Sequence, residues 1–236
     1  MTSGFRSAGR SDPGAVRRRN EDNLVERQDI GVWAVADGAG GHAAGDVASG
    51  LVRQALLAIP AGLGAQELLG EVRARLAQVH EMLLARAEAP GGATSATTVV
   101  VLIAGEGHFA CLWAGDSRLY RLRDGALSLI TRDHSLVQEM VDAGTLTPEA
   151  AEGHPHSNVV TRALGVGDLA LEKVTDRLEP NDRFLLCSDG LSKAVPEVEI
   201  AALLAAESPE TVVDGLMAAA LARGARDNVT AVAVGA

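Results

Sequence analysis

Short runs of β-branched and aromatic residues recur along the chain, and each is bounded by Gly, Asp or Asn. Such runs are typical of β-strands. The clearest predicted strands cover 32–36, 97–104, 108–114, 119–122 and 184–187, and weaker patterns cover 24–28, 173–178 and 229–234. The Arg-Asp-Gly sequence at 123–125 indicates a tight turn, so the strands on either side of it are expected to pair antiparallel.

Helical periodicity is concentrated in two blocks. The first begins near His42, is interrupted at 60–64 and continues to about Ala87, and the second covers 196–206 and 209–223. Because a sheet must cover its apolar faces, two packed sheets with one helix pair on each outer face satisfy this order of elements. The sequence therefore predicts an α+β fold, an α-β-β-α sandwich of two mainly antiparallel sheets flanked by helix pairs.

Residues 131–165 interrupt this pattern. A short helix is predicted to begin at Ser135, with Gln138 completing a capping box, and Gly and Pro breaks follow it. We interpret the segment as a small flap inserted into a single domain that spans 1–236. Four polar residues are expected to organise this flap: His134, Ser135, His154 and His156.

Composition and charge narrow the possible partners. The chain has 236 residues, 47% of them hydrophobic, and a formal net charge of -10, which disfavours nucleic acid and anionic lipid and favours a divalent cation. No apolar run approaches the roughly 18 to 20 residues that span a bilayer, and the opening sequence lacks a signal-peptide core. We therefore expect a cytoplasmic protein without a membrane partner. Cys111 and Cys187 lie in apolar runs and are interpreted as buried thiols.

Four aspartates stand where a predicted strand meets a turn: Asp37, Asp116, Asp189 and Asp227. An aspartate after a strand is also ordinary turn chemistry, so one alone would carry little weight. If the two sheets bring all four together, their charges repel unless a cation lies between them. Oxygen ligands select Mg²⁺ or Mn²⁺ over zinc, and carboxylates that bridge two such ions are typical of phosphoryl chemistry.

Two further segments are candidates for phosphate and metal chemistry. In 17–22 a basic triplet runs directly into Glu21 and Asp22, which is either a solvated charge run or a guanidinium placed beside metal-binding carboxylates. In 37–42 a glycine-rich sequence leads from a strand into a helix, and His42 is expected to cap or orient that turn. The glycine-rich segment 37–42 lacks both the P-loop pattern and the dinucleotide-binding spacing.

The chain resembles the metal-dependent protein phosphatases of the PPM or PP2C family, in particular the short bacterial members that act on phosphoserine and phosphothreonine. The resemblance runs almost end to end. Eight motifs in the family's order carry it: RRRNED at 17–22, VADGAGGHAAGDVAS at 35–49, SATTVVV at 95–101, WAGDSRLYRLRDG at 113–125, TRDHS at 131–135, HPHSNVVTRALG at 154–165, LLCSDGL at 185–191 and RDNVT at 226–230.

This resemblance implies a role for each matching residue. Asp37 is expected to bridge two Mn²⁺ or Mg²⁺ ions, the Gly38 carbonyl to bind one of them, and two further aspartates to complete the other. These aspartates are Asp189 and Asp227. Glu21 and Asp22 match an acidic pair near the metal-bound water.

The remaining implied roles concern phosphate and a weaker ion. Arg17 matches the phosphate-binding arginine, and Asp116 matches the aspartate that helps to hold a third metal ion. Ala39 is a departure, because it occupies the place where animal members carry a histidine proposed as general acid.

The predicted activity is metal-dependent hydrolysis of phosphoserine and phosphothreonine in proteins, by a water or hydroxide that bridges the two ions. A monomer that reverses the action of a bacterial Ser/Thr kinase is expected. Two alternatives stay open: a pseudophosphatase that binds phosphoproteins without turnover, and an esterase for small phosphate esters on the same fold. A cysteine phosphatase is disfavoured because Cys111 and Arg118 lack the C-x5-R spacing, and the GxSxG and SxxK patterns of serine hydrolases are missing.

Overall fold

Two β-sheets lie face to face at the centre of the protein. The computed structural model describes residues 4–40, 44–90 and 92–235. Over these residues one sheet has five antiparallel strands in the order β1 (Arg6–Asp12), β11 (Val229–Gly235), β10 (Arg183–Cys187), β7 (Arg118–Arg123) and β8 (Ala126–Leu129). The other has the order β2 (Asp22–Arg27), β3 (Val32–Gly40), β5 (Val99–Gly105), β6 (His108–Ala114) and β9 (Glu172–Arg177), and β4 (Ser95–Thr97) pairs with the end of β3.

Helices cover the outer face of each sheet. The sheet that contains β3 packs against α1 (Ala44–Leu57) and α2 (Ala65–Glu88). The sheet that contains β11 packs against α5 (Asp189–Ser192), α6 (Glu197–Leu204) and α7 (Pro209–Ala222). Two short helices, α3 (Leu136–Asp142) and α4 (Pro148–Glu152), belong to the flap.

Three apolar layers separate these four layers of secondary structure. Alternate residues of β3 divide between two of them, so that Ala34 packs toward the helices while Trp33 and Val35 pack between the sheets. Phe184 and Val232 enter the central layer from the opposite sheet. The alternation follows from the two-residue period of a strand. The predicted α-β-β-α sandwich of two antiparallel sheets is therefore confirmed.

The hairpin and helix boundaries within the described residues agree with the sequence pattern, and two differences concern strands. The turn between β7 and β8 has positive φ angles of 51° at Asp124 and 78° at Gly125, as a two-residue hairpin requires. The strand β1 was not predicted, and the run at 97–104 is divided between β4 and β5. The predicted start of the first helix at His42 lies outside the described residues.

The flap is attached to the sandwich through backbone hydrogen bonds. Ser135 caps α3 by accepting a hydrogen bond from the backbone of Gln138, as predicted. The capping box is incomplete, because the Gln138 side chain donates to Asp142 at 2.7 Å instead of returning to the cap. Leu164 exchanges two backbone hydrogen bonds with Thr97, which fixes the far end of the flap beside β4.

Both cysteines are buried and unpaired, as predicted. Burial raises the pKa of the Cys187 thiol to about 12, which keeps it protonated and unreactive at neutral pH. Across the described ranges no helix combines the length and apolar character needed to cross a bilayer.

Candidate active site

Five aspartates from both sheets converge at one end of the sandwich. Asp22 begins β2 and pairs in register with Asp37 of β3, while the others flank strands: Asp116, Asp189 and Asp227. Asp37 lies inside β3 and not at its end, because β3 continues to Gly40 in order to pair with β4. The sequence thus identified the aspartates, but it misplaced the turn after Asp37.

Burial and the negative charge of neighbouring carboxylates define the environment of Asp37. Burial and then the negative charge of four neighbours raise the pKa of its carboxyl well above the ordinary range; these neighbours are Asp22, Asp189, Asp116 and Asp227. A buried carboxyl whose pKa is raised in this way is suited to binding a cation, since the cation replaces its proton.

The two carboxylate oxygens of Asp22, a buried member of this acidic cluster, have different surroundings. One carboxylate oxygen, Oδ2, accepts hydrogen bonds from Ser188 at 2.8 Å and Thr230 at 2.6 Å. The other oxygen, Oδ1, is buried without a hydrogen-bond partner among the described residues. Burial raises the pKa of Asp22 from 3.8 to about 6 despite these hydrogen bonds. An unpaired buried carboxylate oxygen is costly unless a water or a cation satisfies it, so Oδ1 of Asp22 fits a water or a hard metal ion beside it.

Asp116 is fixed by the turn that follows β6. The preceding Gly115 has a φ of 115°, and a Cβ there would lie 2.4 Å from the Thr98 side chain, so this close turn requires glycine. Asp116 is 5% exposed, and burial followed by the charge of Asp189 raises its pKa to about 7.

Two cations contact the acidic cluster. Arg17 donates to Asp227 Oδ2 at 2.8 Å, and Lys193 donates to Asp189 Oδ2 at 2.5 Å. Within the described ranges no three carboxylate, imidazole or thiolate groups are arranged to hold a metal ion. Two of the converging aspartates are thus bound to basic side chains. Lys193 was not predicted, because its position one turn after Asp189 is informative only once α5 is known.

Asn228 holds the 17–22 loop against the cluster. Its Oδ1 accepts from the Glu21 amide at 2.9 Å, and its Nδ2 donates to the carbonyls of Arg19 at 2.9 Å and Pro13 at 3.1 Å. Glu21 also accepts a hydrogen bond from Ser49 through its carbonyl oxygen, at 2.5 Å. Asn228 thereby keeps the predicted phosphate-binding segment beside Asp227, a role that its place in the RDNVT motif did not reveal.

The glycines after Asp37 permit a close approach between β3 and α1. A Cβ on Gly38 would lie 2.2 Å from the Gly45 carbonyl oxygen, so only glycine fits at this contact. Ala39 and Gly40 are exposed beside it. The predicted turn-orienting residue His42 lies, with Gly41, outside the described residues.

The flap residues divide into two groups. His134 is buried, accepts a hydrogen bond from the Gly115 amide at 3.1 Å and stacks on Trp113, so it joins the flap to the Asp116 turn. His154 and His156 contact each other, with ring centroids 5.4 Å apart, in a more exposed turn. Sequence analysis missed a further buried histidine, His80 of α2, whose Nδ1 accepts from the Gly165 amide at 3.1 Å.

The raised pKa values predict how the metal-free protein responds to pH. In the folded protein the pKa is about 6 for Asp22 and about 7 for Asp116, above the ordinary value of 3.8. Protonation of these two groups therefore favours the folded state fully below pH 3.8, and this contribution to the free energy of unfolding is lost as pH rises through 6 and 7. We expect the melting temperature without metal to fall by about 5 °C or more between pH 5 and pH 8. The Asp116→Asn variant should show a smaller fall, and a parent curve that is flat over this range would contradict the electrostatic description.

Comparisons with known proteins match nearly the whole chain. A serine/threonine protein phosphatase named PstP from Mycobacterium tuberculosis strain H37Rv is 38% identical over 231 residues, which are 97% of this chain and 44% of the relative. The chain thus spans under half the length of that relative. The catalytic domain of PstP, solved with two manganese ions, superposes with a TM-score of 0.86 at 36% identity and covers 98% of this chain and 97% of that one.

A second solved structure extends the similarity to another genus. PppA from Pseudomonas aeruginosa, described as a key regulatory component of T6SS, is 44% identical with a TM-score of 0.90, and the match covers 98% of this chain and 96% of that one. The profile of the family described as protein phosphatase 2C matches residues 16–226. The chain belongs to the protein phosphatase 2C family.

Proposed function

We propose that this protein is a Mn²⁺- or Mg²⁺-dependent phosphatase for phosphoserine and phosphothreonine in proteins. The observation that carries the proposal is the convergence of five aspartates from both sheets, with Arg17 beside them, at one end of the sandwich. Membership of the protein phosphatase 2C family and the two manganese ions in PstP support it.

Four residues would hold two metal ions: Asp37, Gly38 through its carbonyl, Asp189 and Asp227. Asp116 would contribute to a third, weaker site. When bound, such ions would supply the nucleophile by lowering the pKa of a coordinated water. Oδ1 of Asp22, which has no hydrogen-bond partner in the described part of the chain, would orient the attacking water, and Glu21 would add negative charge at the same edge.

Arg17 would bind the phosphate group of the substrate. Its guanidinium already lies at the cluster, bound to Asp227 at 2.8 Å, and its planar fork is suited to two phosphate oxygens. Binding in this way would orient the phosphorus for in-line attack and offset the charge that develops on its oxygens. Asn228 would hold the loop of Arg17 in place through the Glu21 amide.

Substrate choice would lie with the flap at 131–165, where the buried His134 and Ser135 anchor the segment and the more exposed His154 and His156 form one of its turns. Phosphoproteins made by a bacterial Ser/Thr kinase are the proposed substrates, and a monomer is sufficient because every proposed ligand comes from one chain. The name of PstP supports a serine/threonine phosphatase, and the description of PppA supports a regulatory role.

A turnover assay on three phosphate esters tests this function. With Mn²⁺ present, we expect phosphate release from a phosphothreonine peptide with a kcat/KM at least about tenfold above that for a sugar phosphate, because a peptide can also contact the flap. The peptide without phosphate and para-nitrophenyl phosphate serve as binding and chemistry controls. Phosphate release should be measured by a malachite green assay at saturating and limiting substrate.

The same assay separates the alternatives. A pseudophosphatase would bind the phosphopeptide, as measured by fluorescence anisotropy, and release no phosphate from any ester. An enzyme for small esters would hydrolyse the sugar phosphate faster than the peptide. Either result would overturn the proposal.

A further inference from the structure

Lys193 connects the flap to the acidic cluster. It follows α5, one helical turn after Asp189, and its Nζ donates to Asp189 Oδ2 at 2.5 Å. The same Nζ donates to Asn158 Oδ1 at 2.7 Å, and Asn158 belongs to the flap. One ammonium group thus holds a proposed metal ligand and a residue of the substrate-facing segment at the same time.

The surroundings of Lys193 keep it charged and directed at the cluster. Burial works against the charge, but Asp189, then Asp116 and Asp37, raise the pKa of its ammonium. Its side chain is 42% exposed, whereas that of Asp189 is 14% exposed, so the pair lies at the mouth of the site. Lys193 can therefore leave Asp189 for solvent without a large rearrangement of the core.

The choice of lysine at this position is informative. The chain has 21 lysine and arginine residues, and only Lys173 and Lys193 are lysines. An ammonium on a flexible stem can exchange between two oxygen partners, whereas a guanidinium holds them in a fixed planar geometry. A lysine is therefore suited to a contact that must be broken and remade.

A metal ion and Lys193 cannot both bind Asp189 Oδ2 without strong repulsion, because two positive charges would meet at one oxygen. Metal binding through this oxygen of Asp189 would therefore displace the ammonium. Displacement of the ammonium would also break its hydrogen bond to Asn158. By thermodynamic reciprocity, a contact that metal binding weakens must in turn weaken metal binding.

We propose that Lys193 is a positioning residue that couples the flap to the metal centre, holding Asn158 against Asp189 in the metal-free protein and releasing the flap when metal binds. The proposal rests on the proposed function, because it takes Asp189 as a metal ligand. It assigns to the flap a second role besides substrate contact, namely to set the strength of metal binding.

The test measures Mn²⁺ affinity by calorimetry and flap exposure by hydrogen exchange, neither of which depends on activity. We compare the full chain with Lys193→Met, Asn158→Ala and the double variant, and Lys173→Met is the matched control for loss of one lysine charge. Lys193→Met should bind Mn²⁺ about tenfold more tightly, since it removes a charge-assisted contact to the ligand. Asn158→Ala should also tighten Mn²⁺ binding, but by less. In the Lys193→Met background it should leave the Mn²⁺ affinity unchanged.

Hydrogen exchange reports the reciprocal effect. The amides of Ser157 and Val159, which donate to His154 and His156 in the turn around Asn158, should exchange faster in the parent when Mn²⁺ is added. In Lys193→Met these amides should already exchange fast without metal, and added Mn²⁺ should change their exchange rates little. Lys173→Met should match the parent in both measurements.

Three results would overturn the inference. In the first, the parent binds Mn²⁺, and Lys193→Met and Asn158→Ala have the same Mn²⁺ affinity and the same amide exchange rates as the parent. The second is an Asn158→Ala effect that persists at full size in the Lys193→Met background, because the coupling would then bypass Lys193. The third is a parent that binds no Mn²⁺, which would also overturn the proposed function, whereas the first two would leave that function intact.

Discussion

Chelation of divalent metal with EDTA is expected to abolish phosphate release, and Mn²⁺ is expected to restore it more fully than Ca²⁺. The charge stabilisation that bound metal supplies is worth several kcal/mol, and each 1.36 kcal/mol is a factor of ten, so the loss should be about a thousandfold or more. Ca²⁺ should restore less because its larger and more flexible coordination shell places a water less rigidly. The loss and the recovery of activity are measured as initial rates on para-nitrophenyl phosphate, after dialysis against EDTA and after addition of each metal.

Replacement of one proposed ligand should reproduce the effect of chelation. Asp37→Asn is expected to lower kcat/KM by a similar factor in saturating Mn²⁺, while the metal-free protein melts at a higher temperature because a repelled carboxylate has been removed. Asp214→Asn, at an exposed position of α7, is the matched control and should behave as the parent. Full activity in EDTA, or in Asp37→Asn, would contradict the metal assignment.

Arg17→Ala is expected to lower kcat/KM on a phosphothreonine peptide by about 10- to 100-fold, mainly through a higher KM. This range corresponds to the 1.5 to 3 kcal/mol of a hydrogen bond to a charged group. Since Arg17 binds Asp227 in the metal-free protein, its removal should leave Mn²⁺ affinity undiminished. Steady-state kinetics and calorimetry on one preparation give both quantities.

The neighbouring arginines provide the control for that experiment. Arg18 and Arg19 carry the same charge in the same loop and are exposed, so their alanine variants should change KM by less than about twofold. Equal effects of all three substitutions would mean that the loop acts as a general electrostatic patch, and the specific role of Arg17 would be rejected.

Strands with a strong hydrophobic pattern were predictable, and those formed through pairing were not. β5, β6 and β10 are rich in β-branched, aromatic or leucine residues and are buried on both faces, so composition alone identifies them. β1 has the sequence RSAGRSD, with no apolar alternation, and it is a strand because each of its residues pairs with β11. Its structure is specified by a partner more than 200 positions away.

The site shows the same division between local and distant information. The aspartates precede, follow or interrupt hydrophobic runs, so the local pattern indicates them. Asn228 and Lys193 act through contacts with the 17–22 loop and with the flap, which no local pattern encodes. Whether Asp37, Asp189 and Asp227 bind metal in the predicted roles stays a prediction for the experiments above.

The pairing of Asp22 with Ser188 and Thr230 determines when the site can form during synthesis. These hydrogen bonds join residues 166 and 208 positions apart, and β1 reaches its only sheet neighbour in the described structure, β11, at the other end of the chain. Because such distant contacts close late, the acidic cluster assembles only after the final strand has left the ribosome. A nascent chain that already carries Arg17, Asp37 and the flap is therefore without a functional site until its last strand is in place.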